Sequence, residues 1–424
     1  MTNAEKYIHS LKKFGKKSGL DNIKKLLNKL GNPQKNLKFV HIAGTNGKGS
    51  VSAFVSQILI ESGCKTGLFT SPFIEVFNER IKINNQNISD GDLEKYVGIV
   101  RGAVEGLKSE SDYFPIEFEV ITAAAFLYFA AEKCDIVVLE VGLGGRLDCT
   151  NVIENPLVCA ICSISFDHTE YLGDTIKKIA AEKCGIIKQN CNVAMYQKLD
   201  FDAENVVRKT AKNTNSHLIK PQNISIVKSG ISNVFDYGSL KNLKINLCGI
   251  HQIYNAALAL DIVRFLGNDF NVTENSVRRG LENARWICRF EIFEKGADKP
   301  IFIIDGAHNF DGVSKLCDTA KSVLNGKKIT AVFGMLNEKD YEKSLEKICA
   351  LADEVVITSV PSVRQTDFLK IYEMAKKYKN NAIFIENNFD AITYAAGSKN
   401  ADFALIVAGS LYLAGNVRKF VENF

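Results

Sequence analysis

The order of apolar and polar residues along the first half of the chain predicts strands that alternate with helices. Residues 38–43 (KFVHIA) form a short apolar run that ends in a glycine-rich turn, and residues 50–60 follow with apolar positions at helical spacing. The apolar runs at residues 135–141 and 157–164 lack a clean period of two. Strands of a parallel sheet that is buried on both faces have this pattern. The first half therefore predicts an α/β domain with a parallel central sheet.

The alternation becomes more regular from residue 300 onward. The apolar segments IFIID, ITAVFG, EVVITS, AIFIE and FALIVAG are separated by stretches with helical spacing. They predict a second, Rossmann-like doubly wound domain, whose strands leave their carboxyl ends open for ligands. A polar segment at residues 195–248 contains short alternating pieces that predict a small antiparallel sheet. We divide the chain into domains at residues 1–290 and 291–424.

Length and composition narrow the class of protein. A chain of 424 residues is too long for a single domain with one core, because domains usually run to about 100–200 residues, so we expect two domains. The formal charge is only +5, from 53 basic and 48 acidic residues, so we expect no nucleic-acid partner. The apolar run at residues 121–131 is shorter than the about 20 residues that span a bilayer, and no leader-like stretch follows the N-terminus. The 11 scattered cysteines favour the reducing cytoplasm.

The sharpest local signal is the sequence GTNGKGS between the first predicted strand and helix. Backbone N–H groups of such a turn and the helix N-terminus surround phosphate oxygens, and a lysine adds positive charge. The spacing is a variant of the Walker A motif, because Ile42 occupies its first glycine position and Gly49 separates the lysine from the serine. A plain glycine-rich turn is the alternative. The residues predicted to bind nucleotide are Gly44, Thr45, Asn46, Gly47, Lys48, Gly49 and Ser50.

This loop resembles the phosphate loop of the Mur ligase superfamily, and particularly of its folylpolyglutamate synthase branch. Further matches follow in order, at residues 70–73, 78–81, 140–148, 167–168, 182–188, 251–252, 255–256, 305–309 and 409–412. The resemblance implies an ATP-dependent ligase that joins L-glutamate to the carboxylate of a folate through an acyl phosphate. Dihydropteroate is a second candidate acceptor. Most relatives are monomers that act on small molecules, and we expect the same of this chain.

The resemblance assigns a magnesium ion near the phosphates to Ser71, Glu140 and His168. A carboxylate at the end of a buried strand, such as Glu140, is costly unless it is paired or binds a cation. Mg²⁺ takes a few oxygen ligands besides substrate phosphates. Considered one at a time, the three residues have simpler interpretations as a turn serine, a paired core acid and a core histidine.

The resemblance also implies that Lys183 is carbamylated by CO₂, which converts a cation into an anionic oxygen ligand. The residues alone do not indicate this, since an exposed helical lysine is the default interpretation. Cys184 also replaces the alanine that is usual in this motif. The predicted catalytic residues are Lys48, Lys183 and His308. The resemblance further implies that His308 and Ser410 position the incoming glutamate.

Across the cleft, the resemblance places Asn255, Arg289 and Asp305 on the nucleotide from the far domain. The family usually has a Pro-Gly pair before this arginine, whereas the chain reads RWICRF at residues 285–290. Arg285 therefore remains a competitor of Arg289.

On the acceptor side, the chain resembles relatives in stretches that line their pterin pocket, which implicates Phe118, Glu119, Leu147 and Asp148. Phe118 is equally well interpreted as a core aromatic residue. Glu119 is equally well interpreted as an acid that stabilises a helix start through the helix dipole.

Two other functions remain as alternatives. One is a Mur-type amide ligase that acts on a cell-wall precursor, although no additional nucleotide-sugar domain precedes Gly44 in this sequence. The other is a P-loop ATPase or binding module in which ATP hydrolysis drives a conformational change. ADP release that depends on glutamate would distinguish a ligase from such a module.

Overall fold

Two sheets, both mostly parallel, organise the chain. The computed structural model describes residues 2–12, 19–110, 112–336, 341–362, 366–397 and 399–424. Helices cover the faces of both sheets, and a small antiparallel sheet lies between the two in sequence. The predicted α/β class is therefore confirmed, with a loop-bearing parallel sheet followed by a Rossmann-like unit.

The first sheet has eight strands: β1 (Phe39–Ala43), β2 (Thr66–Phe69), β3 (Ile81–Ile83), β4 (Gln86–Asn87), β5 (Ile136–Glu140), β6 (Val158–Ile161), β7 (Asn192–Met195) and β8 (His217–Leu218). Their spatial order is β4-β3-β2-β5-β1-β6-β7-β8. Six neighbouring strands are parallel, namely β2, β5, β1, β6, β7 and β8. The other two, β3 and β4, extend the sheet in antiparallel fashion beside β2. The loop after β1 therefore opens at the middle of the carboxyl edge, where open parallel sheets bind ligands.

Helices pack on both faces of this sheet. They are α1 (Asn3–Ser10), α2 (Asp21–Lys29), α3 (Lys48–Glu61), α4 (Asp90–Glu110), α5 (Glu117–Ala131), α6 (Thr169–Leu172), α7 (Ile176–Cys184), α8 (Phe201–Asn213), α9 (Ile250–Leu266) and α10 (Glu274–Asn283). Strand β1 is buried on both sides: Val40 and Ile42 pack in the core of α3 and α9, and Phe39 packs in the core of α4 and α5. This two-sided burial explains why the apolar runs lack a period of two.

The small antiparallel sheet consists of β9 (Ile224–Lys228), β10 (Asn233–Tyr237) and β11 (Leu240–Ile245), in the order β11-β10-β9. It is shorter than the polar segment at residues 195–248 that predicts it. Residues 201–213 instead form helix α8, and residues 217–218 add strand β8 to the first sheet. Helix α8 buries Ala203, Val207 and Ala211 at helical spacing against the first sheet, a period that the polar composition obscured.

The second sheet consists of β12 (Glu291–Phe293), β13 (Ile301–Ile304), β14 (Lys328–Phe333), β15 (Glu354–Ile357), β16 (Ile383–Phe384) and β17 (Phe403–Ala408). Their spatial order is β12-β13-β17-β14-β15-β16. Only β12 runs antiparallel to its neighbour. The helices here are α11 (Phe310–Val323), α12 (Tyr341–Leu351), α13 (Phe368–Tyr378), α14 (Asn388–Ala396) and α15 (Leu411–Glu422). The five predicted strand segments all form strands of this sheet.

The cysteines serve as packing residues. All 11 are free and buried. Cys159 and Cys162 fall in different cores on opposite faces of the sheet, as their spacing along a strand requires. None of the helices in the described ranges is long and apolar enough to cross a membrane.

Candidate active site

The carboxyl ends of the strands in both sheets face one cavity of about 1120 Å³. Its wall includes residues that directly follow strands of the first sheet, such as Gly44 and Val141, and of the second sheet, such as Asp305 and Gly409. Apart from Arg285, the competitor of Arg289, every residue proposed for the site from the sequence or the resemblance lines this cavity. Their common location is a property of the structure, whereas the role of each residue stays a prediction.

Close contacts that exclude larger side chains shape the glycine-rich loop. A Cβ atom at Gly44 would lie 2.5 Å from the Cβ of Cys162. One at Gly47, whose φ is 87°, would lie 2.6 Å from Oδ1 of Asn255. Helix α3 starts directly at Lys48, whose ammonium donates to two loop carbonyl oxygens at 3.1 and 3.2 Å. The helix N-terminus and the ammonium together form a site for an anion such as phosphate.

Asn255 reaches the loop from a side that the resemblance did not lead us to expect. It lies on α9, which packs with α3 in the core of the first sheet. The prediction that Asn255 acts from the far domain is therefore wrong in its placement, because the side chain touches Gly47 from the loop's own side of the cleft. Helix α9 is buried along most of its length, and this apolar surface holds it against α3.

Glu140 ends strand β5 beside the loop and is 4% exposed. Burial raises the pKa of its carboxyl to about 7, and the neighbouring Lys48 ammonium opposes that rise. The backbone N–H of Ser71 donates to Glu140 Oε2 at 3.3 Å. A buried acid with so few direct partners is suited to binding a cation.

The protein supplies only part of a metal coordination shell. Among the described residues, no group of three or more His, Cys, Asp or Glu side chains is placed to hold a metal ion. Mg²⁺ is commonly held by one or two carboxylates together with waters and substrate phosphates. Glu140 beside the phosphate loop fits this mode, and Ser71 and His168 line the same cavity. His168 stands at the start of α6 with a left-handed backbone, φ 50°.

Lys183 is buried beneath the loop and is 3% exposed. Its ammonium donates to the carbonyl oxygen of Gly44 at 2.9 Å. Burial lowers the pKa of Lys183 to about 7, and the positive charge of Lys48 lowers it further. The interpretation as an exposed helical lysine is therefore wrong. A substantial fraction of this side chain is a neutral amine at neutral pH.

Asp305 follows strand β13 and fixes the segment that connects the two sheets. Its carboxylate accepts the backbone N–H groups of Phe290 and Ala307, both at 2.7 Å. Burial raises the pKa of Asp305, whereas the guanidinium of Arg289 opposes the rise. Asp305 thereby holds the backbone beside Arg289.

The segment that connects the two sheets turns through left-handed residues and contains no Pro-Gly pair. Cys288 and Phe290 adopt left-handed backbone conformations, with φ values of 54° and 46°. Between them, Arg289 lines the cavity. Arg285 instead donates to the carbonyl oxygens of residues 282 and 284, at 2.8 and 2.9 Å, and lies outside the cavity lining of the described residues. Location therefore favours Arg289 over Arg285.

His308 and Ser410 stand beyond the carboxyl ends of neighbouring strands β13 and β17. His308 Nδ1 lies 2.8 Å from the carbonyl oxygen of Gly306, a distance that places the proton on this nitrogen. Ser410 is buried and caps α15, where its Oγ accepts the N–H of Tyr412 at 3.2 Å. Both side chains are thus held in place at the cavity wall.

A polar network joins the phosphate loop to the second sheet. Asn46 Nδ2 donates to Asn309 Oδ1 at 3.1 Å and to Asp311 Oδ2 at 2.7 Å. Asn309 Nδ2 donates in turn to Asn46 Oδ1 at 3.1 Å and to Asp167 Oδ2 at 3.0 Å. Asn309 also caps α11 through the N–H of Gly312 at 2.9 Å. These bonds tie the phosphate loop to the start of α11, which packs on the second sheet.

The residues predicted to bind the acceptor combine apolar and acidic side chains. Phe118 packs over Gly142, where a Cβ atom would lie 2.7 Å from the ring. Leu147 exposes 40% of its surface and lines the cavity. Glu119 Oε2 accepts the N–H of Ile116 at 2.9 Å, so it does stabilise the start of α5, while burial raises its pKa to about 7. Glu119 thus has both proposed features, a helix-start acid and a member of the cavity wall.

Asp148 is held by a chain of buried polar groups. Its Oδ1 accepts the hydroxyl and the N–H of Thr150, at 2.6 and 3.0 Å, and its Oδ2 accepts the N–H of Leu143 at 2.8 Å. His41 Nε2 lies 2.8 Å from the Thr150 oxygen, and because that hydroxyl hydrogen is already donated, His41 must be the donor. Burial lowers the pKa of His41 to about 3, so the ring is neutral.

Arg80 is a cavity residue that the sequence reasoning left out of the predicted site. Its guanidinium lies 5.3 and 5.4 Å from the ring centres of Phe73 and Phe77 and 3.8 Å from a Glu117 oxygen. Its buried Nε has no hydrogen-bond partner in the described part of the chain. The match at residues 78–81 was the available signal, since a buried arginine at a cavity wall is suited to an anionic ligand.

These features define a nucleotide-binding enzyme with a phosphate loop on one sheet and a second sheet that closes the same cavity. Family models agree with this class: the Mur ligase middle domain matches residues 42–263, and the Mur ligase, glutamate ligase domain matches residues 288–411. The chain is an ATP-dependent ligase that forms C–N bonds.

The similar proteins narrow the family. The dihydrofolate synthase/folylpolyglutamate synthase of Bacillus subtilis is 35% identical over 98% of both chains. The crystal structure of folylpolyglutamate synthase from Thermotoga maritima has a TM-score of 0.84 and 37% identity, over 99% of this chain and 96% of that one. E. coli FolC in complex with DHPP and ADP has a TM-score of 0.86 and 26% identity, over 99% and 96%. The chain belongs to the folylpolyglutamate synthase family of Mur ligases.

Proposed function

We propose that this protein joins L-glutamate to the carboxylate of a folate and converts ATP to ADP and phosphate. The observation that carries the proposal is one cavity that holds the phosphate loop at one end and, at the other, the rings and chains of Phe118 and Leu147 beside the acids Glu119 and Asp148. Relatives with the names folylpolyglutamate synthase and dihydrofolate synthase match over almost the whole chain and support the same activity.

The chemistry follows from the weak electrophilicity of a carboxylate. The folate carboxylate attacks the γ-phosphorus of ATP in line, ADP leaves, and an acyl phosphate forms. The glutamate amine then attacks the acyl carbon, phosphate leaves, and the amine gives up a proton. Lys48 stabilises the charge on the transferred phosphoryl group. A cavity between two sheets positions both substrates and keeps out water that would hydrolyse the acyl phosphate.

Magnesium is the expected metal, held by Ser71, Glu140 and His168 in the proposal. Bound there, Mg²⁺ would neutralise negative charge on the ATP phosphates. The support from this structure is the buried carboxylate of Glu140 next to the loop. The positive charge of Lys48 opposes the rise of the Glu140 pKa and so favours the anionic carboxylate that would hold a cation.

Carbamylation of Lys183 is a further part of the proposal. The neutral amine adds to the carbon of CO₂ and loses one proton, so a cation is replaced by an anionic carbamate. The lowered pKa of Lys183, about 7, supplies the neutral amine that this reaction needs. Incubation with ¹³C-bicarbonate should give a carbamate carbon signal in the NMR spectrum that is absent when Lys183 is replaced by methionine.

The second sheet and its connecting segment complete the site. In this proposal Arg289 and Asp305 hold ATP together with Asn255, and His308 and Ser410 position glutamate. The support is their place in the wall of the same cavity. We propose that the domains divide at residues 290 and 291, since β12 begins at Glu291 and pairs in the second sheet.

The acceptor range is proposed to include dihydropteroate besides reduced folates. Phe118, Glu119, Leu147 and Asp148 form the acceptor wall. The B. subtilis relative bears both enzyme names, and the E. coli relative was solved with DHPP. We further propose a monomer in the cytoplasm, which suits the 11 free buried cysteines.

The test is ADP release by the purified protein with ATP, Mg²⁺ and L-glutamate, with tetrahydrofolate or 7,8-dihydropteroate as acceptor and products identified by mass. Turnover with both acceptors is expected. Turnover with tetrahydrofolate alone would remove the dihydrofolate synthase part. ADP release that ignores both glutamate and acceptor would overturn the ligase function in favour of an ATPase.

A further inference from the structure

The loop between β2 and β3, residues Ser71–Arg80, connects two positions in the cavity wall. Ser71 at its start and Arg80 at its end both line the cavity. Within the loop, the Glu79 carboxylate accepts the backbone N–H groups of residues 74, 75 and 76 at 2.9, 3.1 and 3.0 Å. These three bonds fold the segment into a compact unit. The place where the unit is anchored therefore sets the position of Ser71.

Arg418 on α15 provides one anchor from the second sheet. Its Nη1 lies 3.1 Å from Glu75 Oε1, across the boundary between the two sheets. The same guanidinium binds Glu291 through Nε and Nη2, with the shortest distance 2.6 Å, and reaches Glu422 at 3.4 Å. The side chains of Arg418 and Glu75 are only 13% and 15% exposed. A pair with this burial is weakly screened by solvent, unlike an ion pair on the surface.

Gly415, one turn earlier on α15, provides the second anchor. A Cβ atom at this position would lie 2.0 Å from the carbonyl oxygen of Ile74, so only glycine lets the helix backbone approach the loop this closely. The Ile74 side chain packs against the core beneath α15. The tip of the loop is thus embedded in the second sheet's unit, although the loop's ends belong to the first sheet.

We propose that Arg418 and Gly415 form a clasp by which the second sheet holds the Ser71–Arg80 loop and sets Ser71 against Glu140. Arg418 is then a positioning residue, since it acts on the reaction through the loop. The consequence for magnesium rests on the proposed function: Ser71 reaches Glu140 through its N–H at 3.3 Å, so a released loop perturbs the expected metal site. Assembly of that site becomes dependent on the second sheet.

The first test needs no activity. Glu75→Gln removes the charge that pairs across the boundary and leaves Arg418 bound to Glu291. Amide hydrogen exchange at residues 74–76 should become about tenfold faster in this variant, because the loop opens more often. Glu422→Gln is the matched control, since Glu422 also contacts Arg418 but lies on the same helix and is 51% exposed. Exchange at the wild-type rate in Glu75→Gln would overturn the clasp.

The second test measures the magnesium requirement of ADP release. Glu75→Gln should raise the Mg²⁺ concentration for half-maximal activity about tenfold, while Glu422→Gln and the wild type coincide. Gly415→Ala should raise the Mg²⁺ requirement by a similar factor without a change of charge. Arg418→Lys, which keeps the positive charge, should raise the Mg²⁺ requirement less than Arg418→Gln does. Thermal unfolding checks that each variant is folded. An unchanged magnesium requirement in folded Glu75→Gln would overturn the link to the metal site.

The two tests separate the clasp from the function on which it rests. If the wild type releases no ADP with glutamate and a folate, the proposed function fails, yet hydrogen exchange still decides whether the clasp exists. If the wild type turns over and Glu75→Gln matches it in both measurements, the function stands and the clasp is wrong.

Discussion

The two ends of the cavity are built in different ways. At the phosphate end, Lys48, Glu140 and Lys183 bring charge into a buried space, and the pKa values of Glu140 and Lys183 both move to about 7. At the acceptor end, Phe118 and Leu147 offer apolar surface. The acids at this end accept N–H groups from their own local backbone.

The two ends should therefore contribute to different steps, the phosphate end to the chemical reaction and the acceptor end to binding of the acceptor. Buried charges act most strongly on charge that develops during the reaction, so their loss should lower kcat. An apolar wall binds the acceptor equally before and during the reaction, so its loss should raise the acceptor KM and leave kcat nearly unchanged. Substitutions at the two ends should therefore give different kinetic signatures.

The largest effect is expected at Lys48. Lys48→Ala should lower kcat by at least about a thousandfold, because in the proposed mechanism the transferred phosphoryl group loses the lysine that stabilises its charge. ADP release in the presence of glutamate and tetrahydrofolate measures this. Lys212→Ala, at an exposed position of α8, is the control and should keep wild-type activity. Wild-type activity in folded Lys48→Ala would contradict the assignment of the loop.

A smaller loss is expected at Lys183. Lys183→Met should lower kcat roughly a hundredfold, a typical cost for a residue that supports a metal or phosphate site. Lys178→Met is the matched control on the same helix, since its side chain is 63% exposed. Equal kcat values for the two variants would show that Lys183 belongs to the structural core of the loop and has no part in the reaction.

A substitution at the acceptor end should change the KM for the folate acceptor. Phe118→Ala should raise the KM for tetrahydrofolate about tenfold with kcat within about threefold of wild type, because the lost ring contacts bind without reacting. Phe201→Ala, which removes a ring that is 77% exposed, serves as the control. A loss confined to kcat would break the division between the two ends.

The last expected effect concerns the stability of the fold and its dependence on pH, and leaves turnover aside. The pKa of His41 is lowered from 6.5 to about 3 by burial, so the unfolded chain binds this proton more readily than the folded one. Stability from this group is therefore present above pH 6.5 and is lost as pH falls, by about 2 kcal/mol at pH 5. His41→Gln should unfold with a shallower pH dependence between pH 7 and 5, measured by denaturant titration. An unchanged slope would contradict a buried neutral His41.

Sequence reasoning reached further at the phosphate end than across the cleft. The loop from Gly44 to Ser50 was found because strand, glycine turn and helix follow one another directly. Asn255 was expected on the wrong side of the cleft, since its side depends on how α9 packs on α3. The choice between Arg285 and Arg289 required the left-handed turns at Cys288 and Phe290.

The sequence by itself determined the α/β class, the strand segments of the second sheet and the phosphate loop, because each depends on residues close together in the chain. Only the tertiary structure decided which side chains are buried beside one another. Burial shifts the pKa of Lys183, and packing brings Glu75 to Arg418 across more than 300 positions of sequence. Such contacts follow from the way whole elements pack, and no local pattern of apolar and polar residues contains that information.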